Sequence, residues 1–152
     1  MKLASAIVLV LVLVLGAVWW VSNRAPVEPL EVDHARLRLV PGGAPMAGYF
    51  ELRNHLDVPV RLVAARSSAF GQVMIHRTVV ERGSARMEHQ SGGVLVAPGE
   101  TVRFEPGGLH LMLMRPLQVL EVGDSVEVVL VLEGAEPAER SVRFTVIPVT
   151  SS

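Results

Sequence analysis

The side chains with the most distinctive chemistry in this chain are soft donors: six Met and five His occur with no Cys. Met74, Met87, Met112 and Met114 cluster with His76, His89 and His110 between residues 74 and 114. In Leu109-His110-Leu111-Met112-Leu113-Met114, strand alternation puts the Leu on one face and His110, Met112 and Met114 on the other. Three Leu are the natural core face, so the His/Met face is expected to look outward or into a shallow cleft. In Val73-Met74-Ile75-His76-Arg77, Val73 and Ile75 take the core side, with Met74 and His76 opposite. Met87 lies eleven positions beyond His76, across a turn at Glu81–Ser84. A hairpin of that length sets Met87 opposite or diagonal to His76.

Two imidazoles and two or more thioethers on adjoining strands would make a soft, neutral site. Thioethers bind hard cations poorly and zinc weakly, and no oxygen-rich cluster suits Ca²⁺ or Mg²⁺, so Cu(I) is the matching ion. Binding would weaken only as His protonates, near pH ~6 to 6.5. Each residue alone has a plainer reading, since Met fills gaps in cores and a lone His decorates surfaces. The His-x-Met pair weighs towards metal, because Met gains nothing on a face turned to solvent. Spacing alone leaves both readings open.

Several chemistries are excluded. Without Cys there is no disulfide, zinc-thiolate site, cysteine nucleophile or thiolate-ligated copper. With 14 basic and 15 acidic residues in 152, the chain carries no electrostatic footprint for nucleic acid. Nor is there a Ser/His/Asp spacing, a believable carboxylate pair or a phosphate loop, so no enzyme is implied. Glu51, Asp57 and Glu81 read as solvated charges, and His34 and His55 as surface histidines.

The elements that must position the donors come after an apolar N-terminus. Leu3 to Val21 form nineteen nearly unbroken apolar positions, closed by Ser22, Asn23 and Arg24. Residues 1–24 are read as a signal peptide or an N-terminal transmembrane anchor, the anchor favoured because no clean small-x-small cleavage site follows. Lys2 would stay in the cytoplasm and Trp19 and Trp20 would sit at the outer interface, placing the rest outside. Residues 25–30, with Pro26 and Pro29, read as a linker, and 31–149 as one domain. That domain reads as β throughout, with strands at 31–40, 47–54, 58–67, 73–80, 85–89, 93–96, 101–104, 110–115, 125–132 and 141–147. Gly/Pro-rich turns separate these runs, and an antiparallel sandwich or Greek-key barrel follows.

Ile75-His76-Arg77-Thr78, Ala85-Arg86-Met87, Val96-Ala97-Pro98-Gly99 and Glu105-Pro106-Gly107-Gly108-Leu109-His110-Leu111-Met112-Leu113-Met114 together resemble the periplasmic PCu(A)C-type copper chaperones. That family's signature is His, ten residues, Met, about twenty-one residues, then His-x-Met. Here ten residues separate His76 from Met87 and twenty-two separate Met87 from His110. The extra residue falls in the loop around His89–Gly93. Ala47-Gly48-Tyr49-Phe50 with Asn54, Arg61-Leu62-Val63 and Gly123-Asp124-Ser125-Val126 extend the likeness over nearly the whole domain. Many members have a second Met directly after the first His, where this chain has Arg77, which alternation points to the opposite face.

The resemblance implies an all-β, cupredoxin-like antiparallel β-sandwich of Greek-key type. It implies one copper ion, Cu(I) preferred, held by His76, Met87, His110 and Met112. Met74, His89 and Met114 are auxiliary candidates. The implied role is an extracytoplasmic metallochaperone that supplies a cytochrome oxidase copper site, with a copper-accepting oxidase subunit or a Sco-type chaperone as partner. Residues 3–21 would tether it to the inner membrane if uncleaved. A copper buffer or resistance protein would use the same site. A structural or interaction sandwich without metal would leave the four donors scattered. A cupredoxin electron carrier is disfavoured by the missing thiolate.

Overall fold

The computed structural model describes residues 12–16, 18–20 and 28–149. Ten strands follow in chain order: β1 (Leu30–Arg38), β2 (Met46–Asn54), β3 (Val60–Arg66), β4 (Phe70–Glu81), β5 (Ser84–His89), β6 (Val94–Val96), β7 (Thr101–Phe104), β8 (Leu109–Pro116), β9 (Ser125–Glu133) and β10 (Glu139–Ile147). Period-two sequence makes them. Val126, Val128, Leu130 and Leu132 of β9 are buried while Ser125, Glu127 and Glu133 are exposed. Val142, Phe144 and Val146 of β10 do the same.

The strands form one wrapped sheet in the order β5-β4-β8-β7-β2-β1-β10-β9-β3-β6, with a further β8–β2 pairing. Its inner face is the core. Phe50 stacks on Phe104 with ring centres 4.2 Å apart and meets Phe144 edge-on at 5.7 Å. Leu37, Leu52, Leu62, Leu111, Leu113 and Leu130 are fully buried around them. Asn54 ties the loop after β2 by donating to the carbonyls of Val58 and Val96 and accepting from the Leu56 amide.

The cupredoxin-like sandwich expected from the sequence is the observed architecture, with two refinements. Pairing is not wholly antiparallel: β1 runs parallel to β10, and β7 to β8. β1 and β10 lie far apart in sequence, so no hairpin imposes antiparallel direction on them, and the β7–β8 contact is the single pairing of Phe104 with Leu109 across the turn at 105–108. The second point is a correction. The expected membrane-spanning helix is not found: among the described residues no helix is long and apolar enough to cross a membrane. The described helical positions there are 12–16 and 18–20. The other positions of the 3–21 run, and those at 21–27, lie outside the described residues.

Candidate metal centre

The soft donors gather on the face of β5-β4-β8 that lies opposite the core. β4 pairs with β8 so that Met74 faces Met112, His76 faces His110 and Gln72 faces Met114. On its other side β4 pairs with β5, setting His89 opposite His76 and Met87 opposite Thr78. Directly paired residues share a face. Seven donors, Met74, His76, Met87, His89, His110, Met112 and Met114, therefore stand on one surface of three strands. Leu109, Leu111 and Leu113 of β8, with Ile75 of β4, take the opposite, buried side.

His76 is the centre of this surface. Its ring lies 5.6 Å from that of His89 and 6.0 Å from that of His110, both edge-on. Both of its ring nitrogens are buried without a hydrogen-bond partner. Burial, and then the neighbouring His110 and His89, hold its pKa below the ordinary histidine value, so the neutral ring is favoured. Each flanking imidazole has one nitrogen committed. The Nδ1–H of His110 donates to the Gly108 carbonyl, and that of His89 to the Ile75 carbonyl, both at 3.2 Å. This fixes the tautomer and leaves each Nε2 lone pair available.

The four expected ligands are brought together unequally. His76 and His110 are in ring contact, and Met112 stands diagonal to His76 across the β4–β8 register. Met87 is diagonal to His76 on the other side, as the hairpin argument expected, but 59% exposed and separated from β8 by the width of β4. Among the described residues no three His, Asp or Glu side chains converge to hold a metal ion. His110 departs from the outward-facing expectation, being only 5% exposed. It sits inside the sheet, with β4 beside it and the His76 ring against its own. Met112 and Met114 are half-buried, as a shallow cleft requires.

Arg77 is exposed and paired with Glu88, its parity turning it from the imidazoles. His34 and His55 lie away from this surface. His55 Nε2 meets Glu31 Oε2 at 2.9 Å, and His34 Nδ1 lies 3.9 Å from Glu51 Oε1. The feature that sequence reasoning missed is the pair of unpartnered His76 nitrogens. No local signal announces it, because it depends on which strands flank β4.

Solved structures share this arrangement of strands. The chain matches the copper-bound PCuAC domain from PmoF2 with a TM-score of 0.66 and 25% identity, over 82% of this chain and 97% of that one. It matches the solution structure of apo-DR1885 from Deinococcus radiodurans with a TM-score of 0.60 and 27% identity, over 82% of each. Fold and donor surface together define the class: a cupredoxin-like sandwich similar to PCuAC-type copper-chaperone domains, which are binding modules and not enzymes. The chain belongs to the LpqE-like family, described as "Putative lipoprotein LpqE-like", whose model matches residues 30–146. A relative within reach is "Putative lipoprotein Lxx21020" of Leifsonia xyli subsp. xyli, 32% identical over 89 residues, 59% of this chain and 54% of that protein. The chain spans about half the length of the curated relatives it matches. Family and fold support an extracytoplasmic, cell-envelope location.

Proposed function

We propose that this chain is an extracytoplasmic Cu(I) carrier whose cargo is held by His76, Met87, His110 and Met112. The observation that carries the reading is His76: two buried imidazole nitrogens left without partners, beside a His110 whose tautomer frees Nε2. An unpaired buried polar atom costs about 1–3 kcal/mol, and a metal bond would offset that cost. The fit is chemical as well as positional. Neutral imidazoles and thioethers are soft or borderline donors, and the surface offers no carboxylate that would favour a hard cation. Met112 lies beside His110 on the same strand face, and Met87, on an exposed edge hairpin, is free to close over His76.

The donors lie on the face opposite the core, with His110 covered and Met87 exposed, which suits a carrier because cargo can leave past Met87 without opening the core. A cytochrome oxidase copper site or a partner chaperone is the proposed acceptor, supported by the resemblance of the site pattern to copper chaperones. The test is anaerobic titration of the full chain with Cu(I) against a chromophoric chelator. One equivalent is expected to bind tightly, with at least a tenfold loss of affinity for His110→Ala and for Met112→Leu. Unchanged affinity in both variants would overturn the site assignment.

A further inference from the structure

The carrier reading employs four donors and leaves Met74 and His89 without a task. Both line one surface cleft of about 280 Å³ at the edge of β4, together with Val63, Ala64 and Ala65 of β3. β5 is the edge strand, and His89 at its end is exposed. Met74 is diagonal to His89 across the β4–β5 register and directly opposite Met112 across β4–β8. A continuous row of soft donors thus leads from the cleft inward: His89 and Met74, then His76, then His110 and Met112.

The spacing decides how one ion could use that row. With metal–nitrogen bonds of about 2 Å, two imidazoles can share an ion at ring-centre separations up to roughly 6 Å. His76–His89 at 5.6 Å and His76–His110 at 6.0 Å both qualify. His89 and His110 stand on opposite sides of β4, two strand spacings of about 4.8 Å apart, a gap that the longer, flexible Met87 side chain can close but two short imidazoles cannot. One ion cannot touch all three rings, in keeping with the absence of a three-histidine cluster among the described residues. His76 therefore has one partner facing inward and another facing the cleft.

We propose that Met74 and His89 form an outer transit site, through which Cu(I) passes between the cleft and the holding ligands by ligand exchange on His76. The inference rests on the carrier reading. In each step one copper–donor bond forms as another breaks. The copper stays Cu(I) throughout and no proton moves: His76 holds copper through the same lone-pair nitrogen in both positions while its other nitrogen keeps its N–H, and thioether sulfur carries no proton. Transit donors lie on the path in both directions, so their loss slows loading and unloading together and leaves the equilibrium nearly unchanged.

The test uses the full chain, loaded anaerobically with one Cu(I) and mixed in a stopped-flow instrument with excess bathocuproine disulfonate. His89→Asn keeps an N–H for the Ile75 carbonyl but offers no imidazole lone pair, and Met74→Leu conserves volume. The double variant is expected to release copper at least tenfold more slowly, with equilibrium affinity within threefold of the parent. Either single variant gives a smaller slowing of the same kind and serves if the double variant does not fold. An unchanged rate overturns the proposal. So does a loss of affinity as large as the change in rate, which would make these residues holding ligands. Failure of the carrier reading is separately visible, as an unaltered affinity in His110→Ala.

Discussion

His76 shows at the scale of one residue how the fold holds a side chain in its neutral form. Its imidazolium is disfavoured first by burial and then by His110 and His89, so its folded pKa lies below the ordinary value of 6.5. As pH falls the unfolded chain takes up this proton first, which favours unfolding. Its contribution to the stability of the copper-free protein is thus complete above pH 6.5 and is lost progressively as pH falls from 6.5 through the folded pKa. Urea midpoints of the apo chain are expected to drop between pH 7 and pH 5, and to drop less in His76→Gln. Equal drops would assign the pH dependence to other groups. Glu31 acts in a different window. Its hydrogen bond to His55 lowers its pKa from 4.5, so its contribution is present above 4.5 and lost only in stronger acid. That these His and Met side chains share one strand face was legible in the sequence, because alternation needs only neighbours along one strand. The burial of His110 was not, because it depends on β4 arriving from outside that strand.

At the scale of the element, β8 is held by its core face and carries His110, Met112 and Met114 on the other. Leu111 and Leu113 are fully buried, and Gly48 of β2 is paired with Leu111. A Cβ on Gly48 would come within 3.2 Å of both the Leu111 Cβ and the Leu113 Cδ1, and 3.4 Å from the Phe144 ring. Gly48→Val is therefore expected to overpack this contact and destabilise the protein by about 1–3 kcal/mol. Leu113→Ala, which removes the Cδ1 that a Gly48 Cβ would strike, should cost about 2–5 kcal/mol through the cavity it leaves. Combined, the two should cost less than their sum, because volume added and volume removed meet at one point. Strict additivity in urea denaturation would sink this account of how β8 is seated. All ten strands were legible to within about three residues at either end, since period-two patterning and Gly/Pro turns are local signals. The parallel pairing of β1 with β10 and the edge position of β5 were not, being fixed by contacts distant in sequence. The N-terminal expectation of a membrane-spanning helix is not met among the described residues, none of whose helices is long and apolar enough to cross a membrane.

The whole molecule enters because no local segment contains the site. Between β5, which carries Met87 and His89, and β8, which carries His110 and Met112, the chain visits β6 at the far edge of the sheet. The donor surface exists only once that circuit has closed. In the unfolded chain the same donors are separated by loops of ten and twenty-two residues and would hold copper weakly. Binding to the native state alone must then stabilise the fold, by about 2.7 kcal/mol when free Cu(I) is 100-fold above Kd. For a chain near 150 residues this corresponds to a rise in Tm on the order of 5–10 °C. Anaerobic thermal unfolding in chelator-buffered Cu(I), followed by circular dichroism, should show that rise in the parent chain. It should be nearly absent in His110→Ala, where β8 has lost its imidazole. An equal rise in both proteins would mean that copper is caught by exposed thioethers such as Met87 on the edge hairpin, without joining β4 to β8. The carrier mechanism requires the joined state, because only a site spanning these strands ties retention of the cargo to the integrity of the fold.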